Sequence, residues 1–380
     1  MNARRFSELV AAGAFILGTT VAAQAATVTL AWDRSTETNV AGYRVDYGTQ
    51  PGVYVAAVDV GNQTSRQFTN LTDGTPYYFI VRAYNSAGVL GMPSVEISTR
   101  AGVRPLIKGD FTGDYRSDIA VYRPSTGVWH IHDLSGGTSS SFQWGAPTDT
   151  PVRGDFDGNG LQDTAVFRPS NGTWYIRCAG TLQVIEVQWG NSLDKLVPGD
   201  YDGDGRTDIA VFRPSTGIWY IRRSAPISLM TFQFGSGEDR PVQADYDGDG
   251  VTDIGIFRPS TGMWHWVSSR TGVWNSAAYG NVNDIVLPAD YDGDNKADLA
   301  VFRPSNGTWF VRSSSTLGES AIPWGNAADT PVPADYDGDN KADIAVFRPS
   351  TGVWHIIQSS TRSSTALQWG NSADVPLLKP

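Results

Sequence analysis

The sequence predicts an all-β chain: a small antiparallel sandwich followed by a β-propeller of six blades, with a seven-bladed ring as the alternative. Three observations carry this. Asp110, Asp155, Asp200, Asp245, Asp290 and Asp335 are each 45 residues apart, so residues 103–380 hold six copies of one unit. Short strand-like runs separated by turn signals fill the region before them, and helical periodicity is absent throughout. With 380 residues, 40% of them apolar, the chain has enough core-forming surface to exclude wholesale disorder. A formal charge of -10 excludes a surface that gathers nucleic acid or anionic lipid by general electrostatics.

The first element is a leader. Met1 to Arg5 carries two arginines, Leu9 to Ala22 is an uncharged apolar run, and Ala23-Gln24-Ala25 gives a small-x-small pattern. This reads as a signal peptide over 1–25, with export to an extracellular, periplasmic or cell-surface location. The run is shorter than the roughly 20 residues of a spanning helix, so no membrane span is expected in the mature chain. Cys178 is the single cysteine and cannot form a disulfide within the chain. Stability must then come from packing or from metal.

Residues 26–100 form the sandwich, with strands expected at 27–32, 42–47, 66–69, 77–84 and 95–99. Trp32-Asp33, Gly42-Tyr43-Arg44-Val45, Leu71-Thr72-Asp73-Gly74-Thr75-Pro76-Tyr77 and Arg82-Ala83-Tyr84-Asn85-Ser86-Ala87-Gly88 resemble a fibronectin type III domain. Its Leu-x-x-Gly-Thr-x-Tyr run is similar to that family's tyrosine corner. The resemblance implies a spacer or adhesive module, and the fold alone fixes no activity.

Each 45-residue unit offers four strands, which in the third copy are expected at 196–200, 209–213, 218–222 and 229–234. Four strands in such a period are what a propeller blade needs, and an open solenoid would require capping repeats that are not found. Residues 104–108 and 375–379 both resemble the first strand of a unit, so one of them is expected to close the ring. Seven blades would need three further strands.

Between the first and second strands of each unit lies a nine-residue acidic loop. Asp200-Tyr201-Asp202-Gly203-Asp204-Gly205-Arg206-Thr207-Asp208 places carboxylates at positions 1, 3, 5 and 9 and Gly at position 6. Such charges repel unless a hard cation sits among them, and calcium takes several oxygens of this kind. Position 12 is Val211, where an EF-hand would have Glu, so the loop is not an EF-hand.

With Ile209-Ala210-Val211-Phe212 behind it, this unit resembles the FG-GAP repeat, also grouped with VCBS-like repeats. That resemblance implies calcium at Asp200, Asp202, Asp204 and Asp208, with the Arg206 carbonyl as a fifth ligand. It carries over to Asp245, Asp247, Asp249 and Asp253, to Asp290, Asp292, Asp294 and Asp298, and to Asp335, Asp337, Asp339 and Asp343. Asn295 and Asn340 replace the Gly, which Asn tolerates in the left-handed region. In the second copy Asn159 joins Asp155, Asp157 and Asp163, one charge fewer. In the first, Thr112 and Tyr115 interrupt Asp110, Asp114 and Asp118, so a weak or empty site is expected there. The loops hold 22 of the 39 acidic residues, and about five to six calcium ions would bring the mature protein close to neutrality. The expected role is structural, since nothing supplies an open catalytic position.

Every unit also contains a hairpin loop of the type Phe212-Arg213-Pro214-Ser215-Thr216-Gly217-Ile218-Trp219. Arg123, Arg168, Arg213, Arg258, Arg303 and Arg348 keep the 45-residue step, as do Trp129, Trp174, Trp219, Trp264, Trp309 and Trp354. A third aromatic position reads Trp144, Trp189, Phe234, Tyr279, Trp324 and Trp369. Asp149, Asp194, Asp239, Asp284, Asp329 and Asp374 recur as well, so one Arg–Asp pair per blade is expected. The alternative is a ring of glycan sites, since Trp beside Arg and Asp is what sugar pockets use. His130, His265 and His355 share a position with Tyr175, Tyr220 and Phe310 and read as packing residues. No nucleophile elbow or phosphate loop is present, and catalytic residues are expected to break the sixfold pattern. The function expected is a calcium-binding extracellular adhesion or ligand-binding module for a glycan or protein partner. The competing classes are a secreted carbohydrate-active enzyme and a purely structural envelope component.

Overall fold

A computed structural model describes residues 14–377 apart from 23, 36, 38, 51, 73, 74 and 101–107. The chain divides into two compact parts, 1–105 and 106–380. Most of residues 1–25, the segment read from sequence as a leader, and of 104–108, one of the two strands expected to close the ring, lie outside the described residues.

The first part is a two-sheet antiparallel sandwich. One sheet orders Ala14–Ala22, Gln24–Trp32 and Ser65–Leu71; the other centres on Val40–Gly48 and Pro76–Asn85. Alternation sends Val28, Leu30 and Trp32 from the first sheet, and Tyr43, Val45, Phe79 and Val81 from the second, into one core. Trp32 and Tyr43 meet edge to face at 5.8 Å. Tyr77 behaves as a tyrosine corner: its hydroxyl accepts the Thr72 N–H at 3.2 Å. Two strands, Ala56–Gly61 and Leu90–Pro93, lie outside the sequence expectation: both are short, and only Val60 in the first and no residue in the second is buried. Ala14–Ala22, inside the segment read as a leader, pairs with Gln24–Trp32.

The second part contains six four-stranded antiparallel sheets among the described residues. Five are built from four consecutive strands. The first instead places Val375–Pro376 beside Ile119–Arg123, so the C-terminal strand closes the ring. In the third repeat the second strand, Ile209–Arg213, falls where expected, whereas the first shrinks to Lys195–Leu196. Pro198 cannot donate to the ladder, nor can Pro288 and Pro333 at the same step. In the second repeat Arg153 takes that position and the strand runs over Thr150–Gly154. The fourth repeat has Gln243 there and is also short, which proline does not explain.

The cores lie between consecutive sheets. Phe167 and Trp174 of the second repeat pack with Ile209 and Val211 of the third, and Phe347 and Trp354 of the sixth with Ile119 and Val121 of the first. Backbone bonds close a ring as well. The carbonyls of Asp110, Asp155, Asp200, Asp245, Asp290 and Asp335 accept N–H groups from Gln162, Thr207, Thr252, Ala297, Ala342 and Ser117. Each step joins one acidic loop to the next, and the sixth returns to the first.

Candidate metal centres

The acidic loops are wound by their own carboxylates. Asp200 accepts the N–H of Gly203 at 2.7 Å and of Gly205 at 2.8 Å, and the equivalents Asp245, Asp290 and Asp335 repeat the pattern. This geometry needs a left-handed residue at position 6. Gly205 has φ 80°, and Asn295 and Asn340 have φ 66° and 65°. Tyr115 takes the same conformation at 68° in the first loop, where a non-glycine residue pays a steric cost.

The position 9 carboxylates, Asp118, Asp163, Asp208, Asp253, Asp298 and Asp343, are at most 1% exposed. Asp208 accepts the N–H of Tyr201 and, from the hairpin after the third strand, that of Ser224. Ser224, Ser269, Ser314 and Ser359 also donate their hydroxyls to Asp204, Asp249, Asp294 and Asp339. The sequence reading missed these serines, although their 45-residue step is visible.

In the later repeats carboxylate oxygens gather within 4.8 Å of one another: Asp200, Asp202 and Asp208; Asp245, Asp247 and Asp249; Asp290, Asp292 and Asp294; Asp335, Asp337 and Asp339. Asp157 and Asp163 group instead with the buried Cys178 thiol. No such group forms around Asp110, Asp114 and Asp118 among the described residues. Instead Asp114 accepts the Ser135 hydroxyl, and Asp133 enters the surroundings of Asp118.

Burial pushes several of these carboxyls up, with neighbouring carboxylates adding to the rise and backbone N–H donors opposing it. Asp118, Asp155, Asp208, Asp245 and Asp343 reach about 7, and Asp163, Asp200, Asp253 and Asp290 about 6. Burial also raises Asp292, but the Ser313 and Ser315 hydroxyls outweigh it and hold the group below the ordinary range. Burial first, then Asp163 and Asp157, push the Cys178 thiol up to about 12, so it stays neutral. Two oxygens inside the clusters, Asp247 Oδ1 and Asp337 Oδ1, are buried without a hydrogen-bond partner. A hard divalent cation fits this donor set: oxygens, mostly anionic, close together and partly unsatisfied.

The Arg and Trp sets are committed to packing. Arg168–Asp149, Arg213–Asp194, Arg258–Asp239, Arg303–Asp284, Arg348–Asp329 and Arg123–Asp374 all pair at 2.8–2.9 Å, and each Asp side chain in them is fully buried. The six indoles of Trp129, Trp174, Trp219, Trp264, Trp309 and Trp354 have no exposure. Their faces are closed to a sugar, which corrects the glycan-ring alternative for these residues. Each indole donates to a carbonyl of the adjacent strand, as Trp219 does to Phe234 at 2.9 Å. Trp144, Trp189, Trp324 and Trp369 donate across to the next sheet, to the carbonyls of Tyr175, Tyr220, His355 and His130.

Comparison with known proteins agrees with this architecture. The fibronectin type III domain family matches residues 17–100, and the FG-GAP-like repeat family matches residues 155–211 and 290–346. The chain thus carries an N-terminal fibronectin type III domain followed by FG-GAP-like repeats. A Kelch domain-containing protein of Saccharolobus solfataricus is 40% identical over 76 residues, which is 20% of this chain and 10% of that protein. Among solved structures, a streptogramin B lyase aligns at TM-score 0.46 and 8% identity over 70% of this chain and 87% of its own. A virginiamycin B lyase from Staphylococcus aureus aligns at 0.42 and 7% over 68% and 86%. No helix among the described residues is long and apolar enough to cross a membrane.

Proposed function

We propose that the chain is an exported binding or adhesion module whose six-bladed propeller is stabilised by calcium. The observation that carries the calcium reading is the pair of buried oxygens of Asp247 and Asp337 that accept no hydrogen bond inside clusters of three carboxylates, with Arg270 Nε no nearer than 3.9 Å to the first. In this reading Asp200, Asp202, Asp204, Asp208 and the Arg206 carbonyl hold one ion, with equivalent sets in the fourth to sixth repeats. The second repeat binds with Asp155, Asp157, Asn159 and Asp163, and the first, with Asp110, Asp114 and Asp118, is weak or empty. The ion replaces mutual repulsion by attraction and ties each loop to its hairpin. Because backbone bonds link all six loops, the effect is shared around the ring. Its role is structural rather than catalytic.

The partner is a glycan or a protein surface. Since the repeating Trp and Arg residues serve packing, contacts with that partner fall to residues that differ between repeats. Thermal unfolding with calcium and with excess chelator, together with a metal count, tests the calcium reading. Five or six bound ions and a sharply lower midpoint on chelation are expected; indifference to chelation refutes it. Glycan-array and partner-capture measurements test the binding reading, and release of unsaturated or reducing ends from polysaccharide would replace it by the enzyme alternative.

A further inference from the structure

One position of the repeat belongs to the apolar core between sheets at five of the six junctions. Ile119, Ile209, Ile254, Leu299 and Ile344 occupy it, each buried in the cluster that joins its sheet to the preceding one. The second repeat has Thr164 there, whose hydroxyl donates to the Arg177 carbonyl at 3.3 Å. The facing residues change as well. Between the second and third sheets Ile185 and Val187 pack against the core that holds Ile209, and between the third and fourth Met230 and Phe232 do so for Ile254. The first sheet offers an exposed Ser140 and a half-buried Phe142 at the same step. Side chains that fill the space elsewhere are thus absent on both sides of one junction.

An open cleft of about 170 Å³ lies there, lined by Ile131, Ser140 and Phe142 of the first sheet, Thr164 and Arg177 of the second, and Phe111 of the first acidic loop. This is below the roughly 300–1,000 Å³ of clefts that enclose a drug-sized ligand, so it admits one ring or one short chain. The Arg177 guanidinium stacks on the Phe142 ring at 4.3 Å. Among the described residues that guanidinium donates no hydrogen bond and pairs with no acid. Its free N–H edges form a planar fork that matches a carboxylate. The Ser140 hydroxyl is likewise unengaged among the described residues, and Phe111 and Ile131 supply apolar contact. A ligand that answers all of these carries a carboxylate, hydroxyls and an apolar face on a single ring.

We propose that this cleft binds a uronic acid unit, with its carboxylate on Arg177, its ring against Phe111 and Ile131, and a ring hydroxyl on Ser140. The inference rests on the glycan form of the binding reading, to which it gives a place and a charged group to recognise. Glucuronate and galacturonate titrated into the full chain in calcium, followed by saturation-transfer NMR with glucose and galactose as neutral controls, are the test. A dissociation constant on the order of 1 mM is expected for a site of this size, with the neutral sugars about tenfold weaker or worse. Arg177→Gln is expected to weaken uronate binding about tenfold or more. Ser140→Ile, which gives the cleft the side chain that Ile185 has in the second repeat, is expected to abolish it. Arg177 holds no acid and Ser140 is exposed, so both variants should unfold at the parent's thermal midpoint. The proposal is overturned if neither uronate binds, if the neutral sugars bind as well, or if either folded variant binds as the parent does. Benzoate is a third arm, and tighter binding than either uronate would make this a site for an apolar carboxylate and overturn the proposal too. On a glycan array, a ligand that Arg177→Gln retains leaves the glycan reading standing and refutes this placement, whereas no glycan bound by the parent chain refutes both.

Discussion

Substituting either partner of the Arg303–Asp284 pair disrupts the same two hydrogen bonds, both 2.9 Å, but leaves different groups behind. Arg303→Met strands a carboxylate whose side chain has no exposure and keeps a backbone N–H from Asn281 as a partner. Asp284→Asn keeps one acceptor but removes the charge from beside a guanidinium with 29% of its side chain exposed, still resting on the Phe310 ring at 4.3 Å. An unpaired buried charge costs about 3–5 kcal/mol, whereas losing charge-assisted hydrogen bonds from a group that water still reaches costs about 1.5–3 kcal/mol. Arg303→Met is therefore the more damaging change, by about 1–2 kcal/mol. Urea unfolding followed by tryptophan fluorescence, with calcium in excess, measures both. If Asp284→Asn costs as much as Arg303→Met, then burial of the Asp is not what makes the pair matter.

Other outcomes follow from the same geometry. In chelator, the loop carboxyls at about 6 to 7 bind protons in the folded state that the unfolded chain has already released. Apo stability should then fall as pH rises from about 4 to about 7, and calcium should abolish or reverse that slope; scanning calorimetry across this range decides it. Gly205→Ala should lose about 1–2 kcal/mol in chemical denaturation, since φ is 80° there. Gly205→Asn should lose less than half as much, because Asn295 and Asn340 already occupy that conformation. Trp309→Phe should lower stability by removing the indole N–H bond to the Trp324 carbonyl at 2.9 Å, and it should leave metal content unchanged by elemental analysis.

Much of this architecture was legible because repetition amplifies weak signals. One Arg and one Asp 19 residues apart mean little, but five such pairs in register, with a sixth Arg and Asp left at the two ends, specify a bridge. The left-handed position 6 was readable from Gly alternating with Asn. The inner strands were not: their regular ladders stop before Pro198, Pro288 and Pro333, and the fourth repeat, with Gln243 at that position, is just as short. The serines that carry the hairpin onto the loop carboxylates were hidden in Ser-rich turns, where hydroxyls are ordinary. The fate of the Trp ring needed the structure as well. Burial and a sugar-stacking platform call for the same residue, and only exposure separates them.

The last ion pair differs from the other five in one respect. Arg168 reaches Asp149 across 19 residues of chain, whereas Arg123 reaches Asp374 across 251. For an unfolded chain the longer closure costs about 2 kcal/mol more in entropy. Five junctions can therefore assemble from neighbouring sequence as the chain emerges, and the sixth waits for Asp374. Until then the strand Ile119–Arg123 keeps an open edge, able to pair with a foreign strand as readily as with its own. Completion of the circle therefore depends on the strand farthest along the chain from the edge it covers.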